Sequence, residues 1–269
     1  MKTIRMYASK SFWKYMFSWK MFSTSFLACV GVIWLVIEVS DFFDATLLNS
    51  INLWHLLAIS FVYASIKTRP KRTYSCRLNG RDTVVELYIG DFFDEKNSAL
   101  IISSNTSFDT SMDEDLISDK SIQGQFTARY YKGAIANLNH ELDRALIGIS
   151  PIKSDTMKSG KSKVYSMGTI AGVRISNRQV YFVALASMSS DGRAFTKKED
   201  VLSAISELWN YIMEKGGLDV LVIPIVGTGY SRLPDNRDIM VKEIIKSFVA
   251  ACSSKRFTEK LRIVISCEW

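Results

Sequence analysis

Histidine is nearly missing from these 269 residues: there are two, His55 and His140. A zinc site built on imidazoles or a Ser-His-Asp triad is hard to assemble from so few, the more so because His55 lies inside an apolar segment. Cys29, Cys76, Cys252 and Cys267 sit far apart with no C-x-x-C or C-x-C spacing. They read as small buried or membrane residues in a reducing compartment, and no metal site is expected. Internal repeats and low-complexity segments are absent too. At this length the chain has room for one domain of ordinary size with an appendage, and not for two large ones.

Basic charge is scarce where it would matter for nucleic acid. The whole chain carries net +7, but residues 1–72 hold nine Lys/Arg against three Asp/Glu, net +6, and the remaining 25 against 24 leave net +1. Phosphate neutralisation needs a clustered basic surface, so the near-neutral main domain is not expected to have a nucleic-acid partner.

What the first quarter has in abundance is apolar sequence. Phe22 to Ile37 is 16 residues without a charge, and Val39 continues the run past Glu38. About 20 helical residues cross ~30 Å of hydrocarbon, so this segment suffices if Met21 and Ser40 lie at the interfaces. A second run, Ala45 to Ile66, has 22 residues with no formally charged side chain, and SDFFD between the two is short enough for a tight turn. Lys2, Arg5, Lys10, Lys14 and Lys20 precede the first run, and Lys67, Arg69, Lys71 and Arg72 follow the second; the turn carries only Asp41 and Asp44. Positive-inside bias then predicts a two-span hairpin in the cell inner membrane with both termini cytoplasmic. Residues 1–20, with Phe12, Trp13, Tyr15, Phe17 and Trp19 among lysines, read as an interfacial stretch on the inner leaflet, 21–66 as the hairpin and 67–74 as a linker. Asn49, Asn52 and His55 recur every three residues and are expected to face the first span or another subunit.

From about residue 75 to 269 the pattern alternates between strands and helices. Thr83 to Ile89, Ala99 to Ser103, Lys163 to Ile170, Gln179 to Ser187, Leu218 to Val226 and Leu261 to Ser266 read as strands. Helices are expected over Tyr131 to Ile147, from a capping box Thr196 to Glu199 through Lys215, and from about Arg237 to Ala251. Leu218 to Val226 is too apolar to alternate, so both faces of its sheet should be covered. The fold class is therefore α/β: a sheet between helical layers, preceded by the two apolar helices. Thr106 to Gly124 reads as a long polar, acidic loop, and its Asp109, Asp113, Glu114 and Asp115 as a solvated face.

Ligands of open α/β sheets settle at the carboxyl ends of strands. Gly227-Thr228-Gly229 lies at such an end, where glycines let backbone N–H groups approach an anion ahead of a helix N-terminus. No Lys-Ser/Thr pair follows it and the GxGxxG spacing is missing, so it is neither a nucleotide-hydrolysing P-loop nor a dinucleotide fingerprint. Asp91 and Asn105 each follow another strand; singly, one reads equally as a helix N-cap and the other as a turn residue. One cleft accounts for all three.

YIGDF at 88–92, ALIISSN at 99–105 and VIPIVGTGY at 222–230 resemble, in order and position, the signature segments of macro domains, which bind ADP-ribose. The resemblance implies a three-layer α/β/α domain with a mixed sheet over about 75–269, and a ligand, ADP-ribose or a conjugate of it, rather than a cofactor. It places Asp91 at the adenine, Asn105 near the distal ribose, and Gly227, Thr228, Gly229 and Tyr230 around the diphosphate and distal ribose, with their neighbours Phe92, Ser104 and Ser231 also among the ligand-binding residues. Ser121, Gln123 and Gly124 are assigned to a different wall at the distal end. Hydrolases of this family carry an earlier asparagine where this chain has Ile102, followed by a glycine run that it lacks. Binding without turnover is therefore favoured, with no catalytic residue assigned; a membrane-tethered ADP-ribosyl hydrolase is the alternative.

An apolar hairpin ahead of such a domain also resembles the membrane-anchored effector of type II Thoeris anti-phage defence. That resemblance implies a signal made by a TIR-domain protein, reported for the family as histidine-linked ADP-ribose, a homo-oligomer, contact with inner-membrane lipid, and membrane disruption ending in growth arrest.

Overall fold

The computed structural model describes residues 17–42, 52–69, 71–112, 117–132, 134–154, 160–188, 194–226 and 237–265. The chain divides into two compact units, Met1–Arg72 and Thr73–Trp269.

In the first unit, α1 runs Trp19–Phe42, 24 residues, with the Ser18 hydroxyl accepting from the Met21 N–H at its start. At 1.5 Å per residue it is about 36 Å long, enough for ~30 Å of hydrocarbon. Its apolar side chains point outward all round, Leu27, Val32, Trp34 and Leu35 among them, as suits a helix in lipid. It is the one described helix long and apolar enough to cross a membrane. Helix α2, Leu53–Lys67, has 15 residues and reaches about 22 Å, so the second span expected over Ala45 to Ile66 is described only in part. Residues 1–16 of the interfacial stretch, residues 43–51 of the turn and second run, and Asn49 lie outside the described residues.

Phe22 of α1 meets Phe61 of α2 edge to face at 5.6 Å. The buried stripe of α2 is Leu56, Ser60 and Ala64, of which the small Ser60 and Ala64 let two backbones approach. Asn52 and His55 are exposed within the chain, so of the two expected partners the first span is not the one they meet. Four-residue spacing keeps Leu56, Ser60 and Ala64 on one line, whereas His55 is turned about 100° from it; the Asn52 carboxamide caps its own helix by accepting from the His55 N–H at 3.2 Å.

The second unit is built on an eight-stranded sheet. Its elements in chain order are β1 (Thr73–Arg77), β2 (Val84–Ile89), β3 (Ser98–Asn105), α3 (Ile122–Tyr130), α4 (Ile135–Ala145), β4 (Lys153–Ser154), β5 (Lys163–Val164), β6 (Ile170–Ile175), β7 (Arg178–Met188), β8 (Ala194–Phe195), α5 (Lys198–Lys215), β9 (Val220–Pro224), α6 (Arg237–Ser254) and β10 (Lys260–Ile265). The order across the sheet is β1-β2-β10-β9-β3-β7-β6, with β8 also on β7 and β4-β5 a separate pair. Strands β2, β10, β9, β3 and β7 are mutually parallel, while β1 and β6 close the edges antiparallel.

Side chains alternate across this sheet into two cores. On one face Ile101, Val183, Leu221 and Ile263 pack on Ile205 and Trp209 of α5 and on Ile244 and Phe248 of α6. On the other, Leu100, Ile102, Phe182 and Val222 meet Phe126 of α3 and Leu138 and Leu142 of α4. This is the expected α/β/α layering with a mixed sheet.

Local expectations needed correction where tertiary contacts override pattern. Lys163 to Ile170 is two strands, one ending at Val164 and the next starting at Ile170; between them Gly168 has a φ of 82°, and a Cβ on it would sit tightly, 3.2 Å from Ala204 Cα. The helix expected over Tyr131 to Ile147 begins at Ile135, and a left-handed Lys132 (φ 48°) separates it from α3. The capping box does not form: Lys197 holds the N-cap position without a side-chain bond, and Glu199 and Asp200 in the first turn complement the helix dipole instead. Thr106 to Gly124 is less a polar surface loop than expected, since Thr106, Ser107, Phe108, Asp109 and Thr110 are buried and α3 starts at Ile122.

Candidate functional site

Because five neighbouring strands run parallel, their carboxyl ends gather on one edge of the sheet. Ile89 and Ile265 end in register, the Gly90 N–H donates to the Ile265 carbonyl at 3.2 Å, and β9 ends at Pro224 between β10 and β3. Asp91 and Asn105 are thus on the same edge, three strand steps apart, roughly 14 Å at ~4.8 Å per step. Gly227, Thr228, Gly229, Tyr230 and Ser231, which follow β9 in the sequence, lie outside the described residues.

At the β2 end, Asp91 is mostly covered, its carboxylate 16 % exposed. Its Oδ1 accepts from the Phe93 N–H at 3.1 Å, closing a short Asx-type turn, and its Oδ2 accepts from Arg129 Nη2 at 2.9 Å. Arg129 comes from α3 and lays its guanidinium over the Phe93 ring, 4.1 Å from the centroid. Phe92 points into the core beside α3 and α4, where its ring meets Phe93 edge to face at 5.1 Å. Tyr88 folds over Gly90: a Cβ there would meet its ring at 2.5 Å. The Tyr88 hydroxyl donates to Asp94 Oδ2 at 2.7 Å, and Arg262 stacks on the ring at 4.7 Å.

At the β3 end, Asn105 is buried and its carboxamide organises the chain that follows. Oδ1 accepts from the Ser107 and Asp109 N–H groups at 3.1 and 3.0 Å, and Nδ2 donates to Asp109 Oδ2 at 3.0 Å. Asp109 Oδ1 accepts from the Lys161 N–H at 2.6 Å, and its carbonyl accepts from Gln123 Nε2 at 2.6 Å. Thr110 donates to Asn139 Oδ1 at 2.6 Å. Asp109 is therefore a buried strut, 4 % exposed, which corrects the solvated face expected for it; Asp113, Glu114 and Asp115 lie outside the described residues. Ser104, beside Asn105, is buried, and among the described residues its hydroxyl has no hydrogen-bond partner.

Ser121 caps α3, accepting from the Gly124 N–H at 2.9 Å and donating to the Ser118 carbonyl at 2.6 Å. Gly124 lies so near this turn that a Cβ would sit 2.3 Å from Ser118 O. Gln123 is buried and reaches back to Asp109, which ties the start of α3 to the end of β3. Sequence reasoning missed Arg129 and Phe93 at one end of the edge and Asp109, Lys161 and Asn139 at the other. Spacing carries no signal for Arg129, 38 residues from Asp91. Asp109 was hidden by its acidic neighbours. Among the described residues no group of three or more His, Cys, Asp or Glu is placed to hold a metal ion.

The fold is that of a macro domain. The Oceanobacillus iheyensis macrodomain solved with ADP superposes with a TM-score of 0.50 at 12 % identity, covering 74 % of this chain and 91 % of that one. A point variant of the same macrodomain gives 0.50 at 11 % identity with the same coverage. Within that class the assignment narrows, because the family model for the macro domain of Thoeris protein ThsA matches residues 85–266. The chain belongs to the ThsA macro-domain family. Thoeris protein ThsA of Bacillus amyloliquefaciens (strain Y2) is 28 % identical over 193 residues, 70 % of this chain; the match spans 63 % of the relative's length.

Proposed function

We propose that this chain is a membrane-anchored effector of anti-phage defence. In this reading its macro domain takes up an NAD-derived, ADP-ribose-type signal made by a TIR-domain protein, histidine-linked ADP-ribose included. Occupancy then drives oligomerisation of a two-span hairpin in the inner membrane, with both termini cytoplasmic, and disrupts that membrane until growth stops. Membership of the ThsA macro-domain family over residues 85–266, joined to an N-terminal helix long enough to cross a bilayer, is the observation that carries it.

The site reading extends along the carboxyl edge. Asp91 takes the adenine, with Phe92 acting through its backbone, and Gly227, Thr228, Gly229, Tyr230 and Ser231 wrap the diphosphate. Ser104 and Asn105 serve the distal ribose, Asn105 by shaping Thr106–Thr110 and Ser104 by offering a hydroxyl that has no partner among the described residues, which supports a polar ligand there. Ser121, Gln123 and Gly124 set the distal wall through the turn that they hold. Binding without turnover is supported by Ile102, which is fully buried, and by Asp109, whose carboxylate is spent on Lys161 and Asn105. To move a resting population from 1:99 to 99:1 the ligand must favour the active state by about 5.5 kcal/mol, a requirement that several linked subunits can share.

The test uses the full chain in lipid nanodiscs and in dye-loaded vesicles, with ADP-ribose and histidine-linked ADP-ribose as ligands. Heat of binding, a rise in oligomer mass, dye release and recovery of intact ligand are expected. No heat and no thermal shift with either ligand would overturn the reading; release of free ADP-ribose from the conjugate would replace it with the hydrolase.

A further inference from the structure

A cavity of about 540 Å³ opens beside α4, at the turn between β6 and β7. That turn precedes Arg178, the first residue of β7, so the cavity is at the amino edge of the sheet, opposite the edge that carries Asp91 and Asn105. Asn137, His140 and Arg144 are three and seven residues apart along α4 and share one helical face toward it. Arg174 approaches from β6. Among the described residues the side chains of these four make no hydrogen bond or ion pair. The same cavity holds Tyr131 and Glu141, whose Oε2 accepts from the Tyr131 hydroxyl at 2.6 Å. Burial, and then Glu141, push that phenol up, so it stays protonated and Glu141 Oε1 is left to accept.

We propose that this cavity is a second ligand site, for the phosphate monoester of a small polyhydroxyl compound, a sugar phosphate being the class that fits. Two guanidinium forks with no acid of their own match a dianionic phosphate, which takes paired N–H donors from arginine better than from any other side chain. Glu141 repels a ligand that is anionic throughout, so inorganic phosphate alone and a nucleic-acid backbone are disfavoured. Its free oxygen and the Asn137 carboxamide suit hydroxyl groups instead. The volume lies in the range of small-molecule sites and far below that of a macromolecular surface.

The experiment is calorimetry of the full chain in nanodiscs with ribose 5-phosphate, and with inorganic phosphate and ribose as references. Ribose 5-phosphate should bind one per chain and more tightly than either reference. Arg144→Ala and Arg174→Ala should each weaken it about tenfold, the loss of a charge-assisted hydrogen-bonded pair. Both side chains are exposed and unpartnered, so neither change threatens the fold, which circular dichroism would check. Saturation with ADP-ribose, or Asp91→Ala, should leave the affinity unchanged, which keeps this result independent of the carboxyl-edge reading. Equal binding by both arginine variants, no heat with ribose 5-phosphate, or displacement by ADP-ribose that Asp91→Ala abolishes would each overturn the proposal.

Discussion

Arg129 donates to Asp91 at 2.9 Å while its guanidinium sits over the Phe93 ring, so a residue of α3 holds the carboxylate at the end of β2 in one orientation. If Asp91 meets adenine as proposed, its carboxylate has to be aimed as well as present. Arg129→Ala should therefore weaken ADP-ribose binding about five- to tenfold, and Arg129→Lys, which keeps charge but loses the planar fork, should fall between. Calorimetry on both variants checks this. Tighter binding by Arg129→Ala would instead make Arg129 a competitor for the carboxylate.

Asn105 concerns folding before it concerns ligand. Asn105→Ala removes three hydrogen bonds and leaves the buried Asp109 carboxylate short of a donor, a loss of roughly 2–4 kcal/mol. Urea unfolding should place its midpoint well below the parent's. A variant as stable as the parent would mean that the Thr106–Thr110 segment does not depend on this strut.

Gly124 and Ser121 make a graded pair. Ser121→Ala should cost about 1 kcal/mol as a lost N-cap. Gly124→Ala forces a Cβ against backbone atoms of Ser118 and Asp119 and should cost about 1–3 kcal/mol. The order of the two urea midpoints is the readout, with Gly124→Ala expected lower.

Alkaline stability should report on buried phenols. Burial pushes Tyr181 up to about 12, and Tyr131, Tyr165 and Tyr211 also rise. The folded chain then keeps protons that the unfolded chain has released, so this stability is complete below about pH 10 and is lost as pH rises toward 12. Tyr181→Phe should flatten the fall of the urea midpoint over that window. An unchanged slope would mean that this phenol is hydrated in the folded chain.

Thiol chemistry separates two cysteines. Cys76 is exposed on β1, whereas Cys252 is buried against α5 and its thiol is pushed up by that burial. Iodoacetamide at pH 8, followed by peptide mapping, should label Cys76 in the folded chain and Cys252 only after unfolding. Rapid labelling of Cys252 would place α6 away from the sheet.

Several elements were legible because their signal is local. The parallel strands read as β-branched runs, and α5 announced itself by Val201, Ile205, Leu208, Trp209 and Ile212 on one stripe, all buried. The shift at Gly168, the left-handed Lys132 and the bare N-cap at Lys197 were not legible, because each depends on what packs against it. Asp109 is the sharpest case. Its acidic context reads as solvated surface, yet donors from Asn105 and Lys161 meet its buried carboxylate, and Gln123 donates to its carbonyl.

By itself the sequence determined that its first apolar run makes a helix long and apolar enough to cross a bilayer, the second expected span being described only in part, and that a layered α/β domain follows. Both rest on run length and periodicity, which any short window contains. Tertiary structure alone decided that three strand steps separate Asp91 from Asn105, that Arg129 reaches Asp91, and that Leu56, Ser60 and Ala64 rather than His55 face the first helix. Strand order and helix facing are choices between partners far apart in the chain, made by which apolar surfaces are buried together, and no local pattern encodes that outcome.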